Sequence, residues 1–155
     1  MLNNRKRIRD FLLNQAVKKV ETQESISQPD FTTVHPAEDS LSQTPDITMS
    51  ESDCAFVDKA TNIILSNISD AEFDIEALCR EMAMSRTLFF SRLKSLTGKG
   101  PQEFIRILRL EKASELLKSG ISVSEACEKT GFANSKYFST VFKKYFGVSP
   151  SKYNE

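Results

Sequence analysis

Ten side chains in two stretches of this 155-residue chain have the types and spacing to grip a polyanion. Arg86, Thr87, Phe90, Ser91 and Lys94 recur at intervals that place them on one side of a helix. Ser135, Lys136, Ser139, Thr140 and Lys143 repeat that arrangement further on. Guanidinium and ammonium groups neutralise phosphates, hydroxyls donate and accept at base edges, and an aromatic ring or Thr methyl suits a thymine methyl. Other chemistry has little to work with. The single histidine, His35, lies among Ser, Thr, Pro and acidic residues and reads as solvated. Cys54, Cys79 and Cys127 form no CxxC pair, so reduced thiols in a cytoplasmic setting are expected rather than a metal site or disulfide scaffold. With no Gly-rich phosphate loop and no nucleophile arrangement, the sequence implies no catalysis, no metal, no cofactor and no small-molecule ligand.

Charge supports the polyanion reading once it is resolved along the chain. The whole sequence has 21 basic and 21 acidic residues and no formal net charge. Residues 1–20 have six basic and one acidic side chain, whereas 21–50 have six acidic and no basic ones. Residues 51–83 are again acidic, with eight acids against two bases, and 84–155 carry thirteen bases against six acids. Both candidate stripes lie in that last, basic block. At 39% hydrophobic and 27% charged residues the composition is globular, with neither a run of eighteen apolar residues nor a signal-peptide pattern.

The elements that must hold the stripes are helices. Phe56, Ala60, Ile63 and Ile64 give a helical apolar stripe and predict a helix over roughly 53–68. Asp74 can cap a short helix containing Ile75, Leu78, Cys79 and Met82, and Ser85 can cap a second, stopped by Gly98. Gly100-Pro101 opens a long helix running to about 119 and ending at Gly120. Ser122 and Glu125 form a capping box for the next helix, stopped by Gly131. Asn134 can cap another, stopped by Gly147, and Ser149-Pro150 starts a last short turn. No alternating strand pattern competes, so the fold class is all-α with about seven helices. Glu111, Lys112 and Glu115 read as a solvated face of the long helix.

The two halves of this region match each other. At an offset of 49, Gly98 falls on Gly147, Pro101 on Pro150, Phe89 on Phe138, Leu93 on Phe142 and Lys94 on Lys143. One residue earlier in register, Cys79 falls on Cys127, which marks both as small buried packing residues. Each half is a short helix, a tight turn and a longer helix, the helix-turn-helix plan in which the second helix enters the DNA major groove. Phe89, Leu93 and Leu96 should point inward in the first longer helix, and Phe138, Phe142 and Tyr145 in the second. A linker helix of about 18 residues would be roughly 27 Å long. Adjacent major-groove faces lie about 34 Å apart, so one chain could engage two of them. Phe90 leaves two readings open: a contact to a thymine methyl or deoxyribose, or packing against Leu88 and the neighbouring helix.

The stretches SRTLFFSRLKSLTGKGPQEFIRILRLEKASELL and VSEACEKTGFANSKYFSTVFKKYFGVSPSKY closely resemble the AraC/XylS-type DNA-binding domain. The resemblance covers about residues 55–153 and is sharpest at FKKYFG and SPSKY. It implies two helix-turn-helix subdomains joined by a long linker helix, the first at about 75–97 and the second at about 123–146. It implies base-facing roles for Arg86, Thr87, Phe90 and Ser91, and for Ser135, Lys136, Ser139 and Thr140. Many members have Arg where this chain has Ser91 and Thr140, so the target sequence does not follow. NNRKRIRDFLL resembles the segment after the receiver domain of hybrid two-component regulators. On that resemblance residues 1–20 are a basic helical segment ending an upstream receiver domain, 21–50 a flexible acidic linker, and 51–155 the output domain. Its partners would be double-stranded DNA, RNA polymerase, and the receiver and kinase domains of a parent protein anchored through an upstream sensor. Three rivals remain at this level: a stand-alone regulator of the same type, a helical protein-interaction module with a basic face, and a membrane-surface element in the basic, partly amphipathic residues 1–20.

Overall fold

The computed structural model describes residues 50–153, so the basic segment 1–20 and all but the last residue of the linker lie outside the described residues. Six α-helices follow in order: α1 (Glu51–Ser66), α2 (Ile75–Met82), α3 (Arg86–Thr97), α4 (Pro101–Lys118), α5 (Val123–Lys129) and α6 (Ser135–Phe146). The seventh expected helix is a single 3-10 turn at Pro150–Lys152, with the Tyr153 N–H returning to the Pro150 carbonyl (3.3 Å). No strand occurs among the described residues.

Most boundaries sit where the punctuation placed them. The side chains of Asp74, Ser85, Ser122 and Asn134 accept from backbone N–H groups at 2.8–3.3 Å and so satisfy donors that a helix start leaves open. Gly98 and Gly147 close α3 and α6 with φ of 69° and 80°, a conformation that costs glycine least. Two expectations need correction. α1 begins earlier than the apolar stripe suggested, because Ser50 accepts from the Asp53 N–H (3.2 Å) and donates to the Asp53 carboxylate (2.7 Å). The capping box at α5 is only half formed: Ser122 caps, but the Glu125 carboxylate is drawn to Lys129 one turn along (2.8 Å).

The duplication extends further than the helix pairs. Val57, Ala60, Thr61 and Ile64 of α1 are buried, and so, 53 residues on, are Leu110, Ala113, Ser114 and Leu117 of α4. The repeating unit is therefore three helices, α1–α2–α3 and α4–α5–α6. α4 serves both units. Phe104, Ile105, Ile107 and Leu108 complete the first core with Phe56, Leu78, Phe89 and Leu93. Leu110, Ala113 and Leu117 open the second, with Ala126, Phe132, Phe138 and Phe142. Cys79 and Cys127 are buried as expected, and burial pushes both thiols up from their usual range.

Glu111 is not on a solvated face. Its carboxylate accepts from the Tyr145 hydroxyl at 2.9 Å, tying α4 to α6. Tyr145 packs against both cores, and burial together with the Glu111 carboxylate pushes its ionisation well above the ordinary value of 10.0. A raised phenol gives stability that is whole below pH 10 and is lost at higher pH, where the unfolded chain ionises first. Tyr145→Phe should lower unfolding stability by about 1–2 kcal/mol at pH 7. The gap to the parent chain should narrow above pH 10, as read from urea midpoints across pH 7–11.

Candidate nucleic-acid interface

Each unit has the same turn between its second and third helices. After α2, Ala83 takes φ 54°, its N–H bonds to the Arg80 carbonyl (3.0 Å) and the Met84 N–H to that of Cys79 (3.1 Å). After α5, Gly131 takes φ 69°, with matching bonds from Gly131 to Glu128 (3.1 Å) and from Phe132 to Cys127 (3.1 Å). The second turn then runs one residue longer before its cap, Asn134 rather than Ser85, which accounts for the shift in register from 48 to 49. Beyond the turns, Phe89 and Leu93 are completely buried, as are Phe138 and Phe142. These anchors fix which side of α3 and α6 faces outward.

The outward stripes match position by position. Thr87, Ser91 and Lys94 are exposed on α3, and Lys136, Thr140 and Lys143 are exposed at the same helical spacing on α6. On α6 the structure gathers Lys136, Ser139, Thr140 and Lys143 along one shallow groove of about 590 Å³, which Lys144 also lines. Ser135 is exposed in the first turn and Ser139 is half-buried on the flank. The Thr140 hydroxyl donates to the Lys136 carbonyl (2.9 Å), which leaves its oxygen as an acceptor. Lys144 was not singled out from the sequence, although it stands four residues beyond Thr140 and eight beyond Lys136.

On α3 the ten-residue set divides. Arg86 and Phe90 lie together on the flank toward the start of α4, in a hollow of about 290 Å³ with Gly100, Pro101 and Gln102. Arg86 stands 3.9 Å from Glu76, both side chains about two-thirds exposed, so water and salt weaken the pair and a phosphate could replace it. Arg92, on the inner flank, is committed elsewhere: it bonds Asp53 (3.1 Å) and Ser52 (3.2 Å) and lies 4.6 Å from the Phe56 ring centre. Ser50 and Arg92 hold the Asp53 carboxyl below its usual range. The sequence does not single out Tyr137 and offers Leu88 only as a packing partner for Phe90, yet both are exposed and occupy equivalent third positions of the two helices.

Phe90 resolves one open reading. It is 45% exposed, lies outside both cores and rests near Gly100 with the Lys94 ammonium 5.6 Å from its ring centre. Leu88 is itself 56% exposed, so Phe90 is not extra core.

Two helix-turn-helix units on a shared 18-residue helix define the class of the molecule, a double helix-turn-helix protein. A family model described as a helix-turn-helix domain matches residues 78–155. The chain is 38% identical over 109 residues to Histidine kinase P4 of Formosa agariphila, a match covering 70% of this chain and 8% of that protein. It is similar in structure to the C-terminal domain of the two-component response regulator YesN from Fusobacterium nucleatum. That match has 31% identity, a TM-score of 0.57, and covers 62% of this chain and 94% of the other. The DNA-binding domain of AdpA in complex with a target DNA is similar at 30% identity and a TM-score of 0.57, over 61% of this chain and 86% of that one. The chain belongs to the AraC/XylS-type helix-turn-helix family of DNA-binding transcription regulators. It spans 8–35% of the length of the curated relatives it matches. Among the described residues, no helix is long and apolar enough to cross a membrane.

The burial contrast along α3 gives a direct check. Phe89→Ala should cost roughly 3–5 kcal/mol, as a large cavity in a core does. Phe90→Ala should cost about 1 kcal/mol or less by thermal melting. Equal losses would place Phe90 in the core after all.

Proposed function

We propose that the chain binds duplex DNA in a sequence-specific way by placing α3 and α6 in adjacent major grooves, as the output segment of a phosphorylation-controlled hybrid two-component protein. The observation that carries the DNA reading is the pair of equivalent, outward-facing stripes at the two ends of one helix roughly 27 Å long. Lys136, Lys143 and Lys94 supply charge, and Thr87, Ser91, Ser139 and Thr140 supply small polar groups suited to base edges. Arg86 and Phe90 reach the flank of the first groove, the ring against a thymine methyl or deoxyribose, and Ser135 reaches the backbone at the start of α6. The hybrid origin is supported by the similarity to a histidine kinase of which this chain would be a small part, and to a response regulator's C-terminal domain. On this reading residues 1–20 end a receiver domain, 21–50 are a linker and 51–155 the output domain. RNA polymerase and the upstream domains are its protein partners, in the cytoplasm, with any membrane anchor upstream.

Random-site selection followed by affinity measurements across salt tests the DNA reading. Each neutralised phosphate should add about 0.9 to the negative slope of log K against log salt, and several should be counted. A slope near zero would favour an interaction module instead. Arg86→Ala and Lys136→Ala should each weaken specific binding by about 1–3 kcal/mol where the side chain reads a base. Their footprint losses should fall about one helical turn apart, and losses at the same base pairs would overturn two-groove docking. Phe90→Ala should lose the penalty that thymine-to-uracil substitution imposes on the parent chain. For the hybrid origin, an antibody to this chain should detect a cellular polypeptide several times 155 residues long, and a band of this chain's own size would overturn it.

A further inference from the structure

Every substantial helix contact between the two units runs through α4, which leaves an obvious weakness. A single helix in two cores resists bending poorly if nothing braces the units away from its axis. Tyr145, packed against both cores, is one such brace, and a charged side chain supplies another. Arg109, midway along α4, donates from Nη2 to the Asp70 carbonyl (2.8 Å) in the loop after α1. It donates from Nη1 to the Gly131 carbonyl (3.1 Å) in the turn before α6. One planar fork thus joins the first unit's loop to the second unit's helix-turn-helix turn.

The surroundings are fitted to that fork. A Cβ on Gly131 would stand 2.5 Å from the Ile68 carbonyl oxygen and 3.2 Å from the Arg109 guanidinium, so the backbones meet only because residue 131 is glycine. Gly131 also holds φ 69°, which glycine adopts without strain. Burial has a price at Arg109: its Nε is enclosed without a hydrogen-bond partner, and desolvation draws the guanidinium below its usual range. A group that bears such a penalty while lying off both outward stripes is holding something in place.

We propose that Arg109 is a positioning residue that fixes the phase of α6 relative to α3, and thereby makes the spacing between two DNA half-sites a determinant of specificity. The inference rests on the two-groove docking proposed above. Successive base pairs are separated by about 3.4 Å, so a small rotation of one unit puts its helix out of register with its groove. With the fork in place, unit and groove must match. Lysine at 109 would keep the charge as a point donor but lose the rigid fork that serves two carbonyls at once.

The experiment uses the full chain and a duplex obtained by site selection with it, then remade with one or two base pairs added or removed between the half-sites. The parent chain should lose roughly tenfold or more in affinity for each altered spacing, as for a mismatched site. R109K should hold the original duplex within a few fold yet bind the altered ones within about threefold of it, a tolerance that mere destabilisation would not produce. Gly131→Ala, which forces the same contact apart from the other side, should show the same relaxed spacing. Residual dipolar couplings without DNA give an independent reading: one alignment tensor should fit both units in the parent chain and two should be needed in R109K. If no two-part site is selected, the docking reading fails while the couplings still judge the brace. Unchanged spacing preference in a folded R109K, or two tensors in the parent chain, overturns the proposal.

Discussion

One helix has to be buried in two cores at once, and the rest of the molecule is arranged around that demand. α4 gives Phe104 and Leu108 to the first unit and Leu110, Ala113 and Leu117 to the second. Its apolar face must therefore wind around the helix along its length, and few positions are left for solvent. Neither unit can form its full core without α4, so their stabilities are coupled. The same sharing delivers two outward helices at a separation set by covalent geometry, since an α-helix rises about 1.5 Å per residue.

Within each unit, aromatic packing decides which way the recognition helix faces. Phe89 meets Phe56 at 5.6 Å between ring centres. In the second unit Phe138 lies between Phe132 (5.0 Å) and Phe142 (5.5 Å), and Phe142 is closed off by Tyr153 (5.1 Å). Rings of this size bury large apolar areas and tolerate few orientations. Once they are seated, the hydroxyls and ammonium groups on the opposite side have nowhere to go but out. The outward stripe is thus a consequence of the core.

The two arginines of α3 show how context assigns a role to a residue type. Arg92 is stacked on Phe56 and bonded to Asp53 and Ser52 of α1, while six residues earlier Arg86 has only a distant, solvated carboxylate nearby. The first arginine of the pair is available to a phosphate and the second is part of the fold. On α4, Arg109 belongs with Arg92, although nothing in its local sequence distinguishes it from an exposed base.

Helix existence, the caps and the repeat were legible in the sequence because they rest on local chemistry. An Asp, Ser or Asn ahead of a helix satisfies that helix's own N–H groups, and a glycine after it accepts a positive φ, whatever the rest of the chain does. The inward anchors and outward stripes followed from helical period alone. What tertiary structure decided were the contacts between residues distant in sequence. Glu111, which helical spacing made a surface acid, is bonded to Tyr145 because α6 returns across α4. Phe90 could have packed inward or remained half exposed, and the fold leaves it 45% exposed beside Gly100. Arg109 and Gly131 are 22 residues apart, and only the docking of one unit on the other brings the guanidinium between two carbonyls. A period describes one helix at a time, whereas these roles depend on where a second helix lies.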